Sequence, residues 1–140
     1  MSYIDLSDYI DEALLYVAPS GLNLYLSKHQ KSLLGANVTK ESIKNILDSD
    51  FFEIIVIHLD AYYISNVLPD WFPSNIQQVL LLGDTHHGVK PLTRLVSWLK
   101  SSSIRRIVNY ACPHHDELIY KTTGIDCVYF PAAFAIRKWI

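Results

Sequence analysis

The sequence predicts an α/β domain: a Rossmann-like three-layer sandwich on a parallel sheet of about five strands. Three observations carry this. Short apolar runs, several rich in β-branched residues and apolar on both parities, recur along the chain, as strands covered on both faces require. Stripes of helical period fall between them. Single prolines and glycines separate the two kinds of segment, with no repeat, linker or low-complexity tract.

The first run is 13–18 (ALLYVA), stopped by Pro19-Ser20-Gly21. Its Ile10, Ala13, Leu14 and Val17 also fit a helical stripe, but the turn and following helix complete a βα unit, so the strand is preferred. Leu22, Leu26, His29 and Leu33 then recur at helical spacing, with Ser20 as N-cap and Gly35 at the C′ position. Thr39 caps a short helix whose stripe is Ile43, Ile46 and Leu47.

Residues 52–59 (FEIIVIHL) form the next strand, and 61–75, aromatic and broken by prolines, an irregular helix or loop. The run 79–82 (VLLL) ends at Gly83. Pro91 suits a first helical turn, with Leu92, Leu95, Val96 and Leu99 as the buried face. Residues 104–110 (IRRIVNY) are a further strand. Pro113 opens a helix carrying Leu118 and Ile119 that ends before Gly124, and 127–130 (CVYF), stopped by Pro131, is the last strand. Strands alternating with helices give a parallel sheet with helices on both faces, and its ligand crevice lies at the carboxyl ends of the strands.

Composition sets the outer bounds. The chain has 140 residues, 50% hydrophobic and 19% charged, enough to bury one core and too apolar for dominant disorder. A net charge of −2 argues against binding nucleic acid through phosphate neutralisation. No apolar run reaches the roughly 20 residues that span a bilayer, and the N-terminus lacks a secretory pattern. Cys112 and Cys127 make neither a disulfide framework nor a zinc knuckle. The expectation is a soluble, cytoplasmic single domain over 1–140.

Five of the six histidines fall at strand carboxyl ends. His58 and Asp60 end one strand; Gly83-Asp84-Thr85-His86-His87-Gly88 follows the next; Cys112-Pro113-His114-His115-Asp116 follows a third. In the 83–88 loop an aspartate positions the chain, two glycines allow close backbone approach, and two histidines add donors, proton transfer or metal ligation near neutral pH. The ligand-facing reading is preferred there over an Asp that caps the turn beside solvated histidines. For His114 and His115, solvated first-turn residues are an equal alternative, and Asp116 and Glu117 suit the helix dipole without any function. His58 by default is a hydrogen-bonded, half-buried residue, and His29 a helix residue packed at a boundary. Tyr62-Tyr63 and Trp71-Phe72 read as packing before sugar stacking.

Gly-Asp-x-His superficially resembles a block of the metallophosphoesterases, whose Asp and His help hold two metal ions. The other two blocks of that family are not matched: the earlier strand end reads His58-Leu59-Asp60, and the later stretch is 109–116 (NYACPHHD). Adjacent histidines in extended chain also diverge, so no metal ligand is assigned.

A second resemblance covers about 14–134. The order LLYVAPSG, GANVTKESIKNIL, FEIIVIHLDAYY, VLLLGDTHHGVKPLTRLVSWL, IVNYACPHHDELIYKTTGI and CVYFPAAF is similar to the N-terminal half of bacterial GT-B glycosyltransferases of the spore-maturation type. GDTHHG is its most specific part. The resemblance implies one of two Rossmann-like domains facing a cleft, with the nucleotide-sugar donor held by a C-terminal domain and this half shaping the side for a sugar or protein acceptor. No cofactor is expected in this half, and no complete active site. By position, Asp84, His86 and His87 are the expected catalytic residues, and His58, Asp60, Gly83, Thr85, Gly88, His114 and His115 the ligand-facing ones. The end at Trp139-Ile140, in mid-pattern, suggests a truncated chain or a detached half. A metal-dependent hydrolase and a non-catalytic interaction domain are the alternatives. Adenine or nicotinamide binding is disfavoured, since no Gly-x-Gly-x-x-Gly follows a strand.

Overall fold

The computed structural model describes residues 13–21, 30–86 and 88–129. Six parallel strands form one sheet: β1 (Leu14–Ala18), β2 (Gln30–Leu34), β3 (Ile54–Leu59), β4 (Gln77–Leu82), β5 (Ile104–Asn109) and β6 (Asp126–Tyr129). Their order is β2-β1-β3-β4-β5-β6, so the direction of winding reverses between β1 and β3. This is a Rossmann-like α/β architecture with one more strand than expected.

The additional strand corrects the helix expected to end at Gly35. Residues 30–34 pair in parallel register with β1, from Leu14 with Gln30 to Ala18 with Leu34. Leu33, assigned by spacing to a helical stripe, therefore belongs to an edge strand. Backbone pairing to an otherwise open β1 edge wins over a stripe of helical period. Gly35 does adopt a left-handed φ of +59°, but as the first residue of a 3-10 turn. Leu22, Leu26 and His29 lie outside the described residues.

Three helices are described, and each is set by a local signal. Helix α1 (Lys40–Ser49) starts at a reciprocal cap: Thr39 Oγ1 accepts the Ser42 N–H at 3.1 Å, and Ser42 Oγ accepts the Thr39 N–H at 3.0 Å. Helix α2 (Pro91–Lys100) has Pro91 at its first position. It buries Leu95, Trp98 and Leu99, while Leu92 and Val96 remain half-buried. Helix α3 (Asp116–Thr123) ends at Gly124, whose φ of +75° lets its N–H reach the Tyr120 carbonyl at 2.8 Å. Only Ile119 of the expected pair is buried; Leu118 is exposed. Residues 61–75 hold two 3-10 segments, Ala61–Asn66 and Pro69–Trp71.

The main core lies on one sheet face. Leu15, Val17, Ile55, Ile57, Leu80, Leu82 and Ile107 of the sheet meet Ile43, Leu95, Trp98, Leu99 and Ile119 of the helices. Burying such an aliphatic side chain contributes about 1.5–3 kcal/mol. Phe72 belongs to this core, with Tyr63 and Trp71 packed against it, as the packing reading expects. The Trp98 indole donates to the Val67 carbonyl at 2.7 Å, tying α2 to the aromatic segment.

The second face carries Leu14, Tyr16, Ala18, Ile54, Val56 and Leu81, all buried. Both faces of the sheet are thus covered, which explains the unbroken apolar runs of β1 and β3. All three described helices contribute to the first face.

Candidate functional site

The loops at the carboxyl ends of β3, β4 and β5 are sewn together by their own polar groups. Asp60, directly after β3, accepts the Asp84 N–H on Oδ1 at 2.8 Å, and the Ala61 N–H donates to the Asp84 carbonyl at 2.9 Å. Gly83 lies between them. A Cβ there would collide with Asp60 Oδ1 and stand 2.6 Å from the Tyr110 hydroxyl, so only glycine fits. Asp84 in turn accepts the His86 N–H on Oδ1 at 2.7 Å, an Asx-type turn. The two aspartates therefore shape the loop. Gly88 has a left-handed φ of +100°; His87 lies outside the described residues.

The turn after β5 is organised by Asn109, a fully buried residue that sequence reasoning missed. Its amide nitrogen donates to the Cys112 carbonyl at 2.8 Å and to Asp116 Oδ1 at 2.7 Å. Its Oδ1 accepts the N–H groups of Ala111 and Cys112 at 3.1 and 3.0 Å. An amide offers two donors and two acceptor sites, and all four are used. This fixes the path from β5 into the 3-10 turn Pro113–His115.

Thr85 joins the two loops. It is buried, and its Oγ1 lies 2.5 Å from His115 Nδ1. The result is a cluster of three imidazoles at the carboxyl ends of β4 and β5. Ring centroids are 5.0 Å apart for His86 and His114, 5.1 Å for His86 and His115, and 4.0 Å for His114 and His115. One ring nitrogen of each lies within 4.8 Å of the other two. His86 and His114 are exposed and His115 half-exposed. Partial burial lowers the His115 pKa, repulsion from His114 and His86 lowers it further, and Asp116 opposes both.

His58 sits deeper than expected. It is buried, with Nδ1 2.5 Å from the Tyr16 hydroxyl and Nε2 2.6 Å from the Tyr110 hydroxyl. A neutral ring donates from one nitrogen and accepts at the other, so one tyrosine donates to it and the other accepts from it. Burial depresses the His58 pKa to about 4. Both tyrosines are pushed well above their ordinary value, chiefly by burial; Tyr110 is raised further by Asp60 and Asp84, and Tyr16 by Tyr110. This hydroxyl–imidazole–hydroxyl chain runs from β1 across β3 to Tyr110, beside Gly83.

Of the residues expected to face a ligand, the structure brings Thr85, His114 and His115 together with His86. It uses Asp60 and Gly83 to hold the loop, and places His58 behind it. Tyr16, Asn109 and Tyr110 went unnoticed, although Tyr16 and His58 share a sheet face through strand parity. Among the described residues, no helix is long and apolar enough to cross a membrane. Comparison with protein-family models, with curated proteins and with solved structures finds no match to this chain.

Proposed function

We propose that the chain is the acceptor-side domain of a GT-B-type glycosyltransferase, cytoplasmic and inactive without a second domain that holds the nucleotide sugar. The observation that supports this reading best is the convergence of the β4 and β5 loops at the carboxyl edge of a parallel sheet. There Asp84, His86, His114 and His115 are gathered while Asp60, Gly83 and Asn109 fix the backbone beneath them. Such an edge is where open α/β sheets take ligands. In this reading an acceptor hydroxyl lies over the loop, and Asp84 or His86 takes its proton as the new glycosidic bond forms and the bond from the anomeric carbon to the nucleoside diphosphate breaks, releasing the diphosphate.

The test is an amide-shift titration of the chain with methyl glycosides and N-acetylglucosamine, set beside UDP-sugars. Acceptor-type sugars are expected to move the amides of 83–86 and 113–116, and UDP-sugars to leave them unmoved. Nucleotide binding at this edge, or sugars that move no residue there, would sink the reading. Turnover of a generic phosphodiester with added manganese would replace it with a hydrolase.

A further inference from the structure

We propose that His86, His114 and His115 form a mononuclear site for a borderline divalent transition metal, with Zn2+ the first candidate. The inference rests on the three imidazoles alone and stands or falls independently of the glycosyltransferase reading.

Donor chemistry is the first argument. The three ligand atoms that come together among the described residues are all imidazole nitrogens, which suit Zn2+, Ni2+ or Cu2+ better than the hard cations Mg2+ or Ca2+. Three protein ligands also leave a tetrahedral ion one open position for water or a ligand oxygen.

Geometry is the second. Zn–N bonds of about 2.0–2.1 Å place tetrahedral nitrogens about 3.3 Å apart. The ring nitrogens here lie within 4.8 Å of one another, which leaves a gap of about 1.5 Å for side-chain rotation to close. His114 and His115 are sequence neighbours, but the 3-10 turn Pro113–His115 brings their rings to 4.0 Å, which extended chain would not. His86 joins them from the neighbouring strand's loop.

Support behind the ligands is the third. A metal-bound histidine usually donates its other N–H to an oxygen, which fixes the tautomer. Thr85 Oγ1, buried at 2.5 Å from His115 Nδ1, is placed for that role and leaves Nε2 for the ion. One effect opposes the site: the N-terminus of α3 carries a partial positive charge of roughly half a unit. Asp116 and Glu117, in that first turn, offset it. With metal bound, His86 is a ligand and no longer a base.

The test uses the full 140-residue chain, stripped with a chelator, titrated with Zn2+ calorimetrically and with Co2+ by visible absorption. One equivalent should bind, and Co2+ should give the intense bands of tetrahedral coordination. His86→Ala and His114→Ala, both at exposed positions, should each weaken Zn2+ binding by at least about a hundredfold, more than the loss of an outer partner. Thr85→Val should weaken it about tenfold. His87→Ala should leave affinity unchanged. No saturable binding, or binding that survives His114→Ala but fails in His87→Ala, overturns the proposal; the second result would assign the metal to the 83–88 loop alone.

Discussion

Asp60 Oδ1 lies where a side chain on Gly83 would have to begin. The same oxygen accepts the Asp84 N–H, so one carboxylate both requires the glycine and fixes the residue after it. Gly83→Ala should therefore cost roughly 2–3 kcal/mol, the scale of overpacking in a closed site. Urea denaturation reads this directly. Adding Asp60→Ala should recover at least about 1 kcal/mol of the expected sum, because the methyl group then has room on one side. Strict additivity would mean that the clash with the Tyr110 hydroxyl governs instead.

His58 predicts a pH dependence of stability. Its folded pKa of about 4 lies below the ordinary 6.5, so the unfolded chain takes up a proton that the folded chain refuses. The stabilising contribution is complete above about pH 6.5 and is lost as pH falls toward 4, to a total of about 3 kcal/mol. His58→Gln keeps a donor and an acceptor between the tyrosines but does not titrate, and its stability should be flatter across that window. His115, also shifted down, acts in the same direction in both proteins and cancels in the comparison. Equal slopes for the two would remove His58 as the cause. At the alkaline end the raised tyrosines reverse the sign: stability is complete below about pH 10 and falls as pH rises above it.

The parts of the fold that were legible are those where one local pattern decides the outcome. Strands β1 and β3 are buried on both faces, and their apolar runs say so. Thr39, Pro91 and Gly124 mark helix ends through their own chemistry. Strand β2 is different, because its sequence QKSLL alternates weakly and Leu33 also fits a helical stripe. What makes it a strand is the edge of β1, a partner invisible to local pattern. The site divides in the same way. GDTHHG and CPHHD stand out as separate motifs, and nothing local in either says that they meet. The cluster of His86, His114 and His115 forms between loops, because β4 and β5 are neighbours and Thr85 spans the gap. Asn109 is inconspicuous at the end of a strand, because its role depends on the turn that follows.

Asn109 predicts the sharpest effect of a near-isosteric change. Asn109→Asp preserves volume and both accepting contacts but loses both donors. It places a carboxylate oxygen against the Cys112 carbonyl and the Asp116 carboxylate. A buried acceptor facing two acceptors should cost about 3 kcal/mol. Because the same amide holds the path into Pro113–His115, the His86–His114 ring contact should weaken in NOE spectra. A destabilised protein that keeps this contact would show that the turn is held from elsewhere.

The two ends of α1 allow a charged and an uncharged interaction to be compared on one short helix. Near its C-terminus, Lys31 Nζ lies 2.8 Å from Asp50 Oδ2, with about half of the lysine side chain exposed. Solvent screening and the entropy of holding a long side chain limit such a pair to a few tenths of a kcal/mol. At its N-terminus the neutral Thr39–Ser42 cap satisfies N–H groups that the helix itself cannot. Thr39→Ala should thus cost about 1 kcal/mol and Lys31→Ala less than about 0.5 kcal/mol, by thermal or urea unfolding. The difference should persist in high salt, which screens the ion pair and leaves the cap untouched. If Lys31→Ala proved the more damaging, the ion pair at the β2 edge would be holding that strand to the domain, and salt should then weaken the wild-type protein as well.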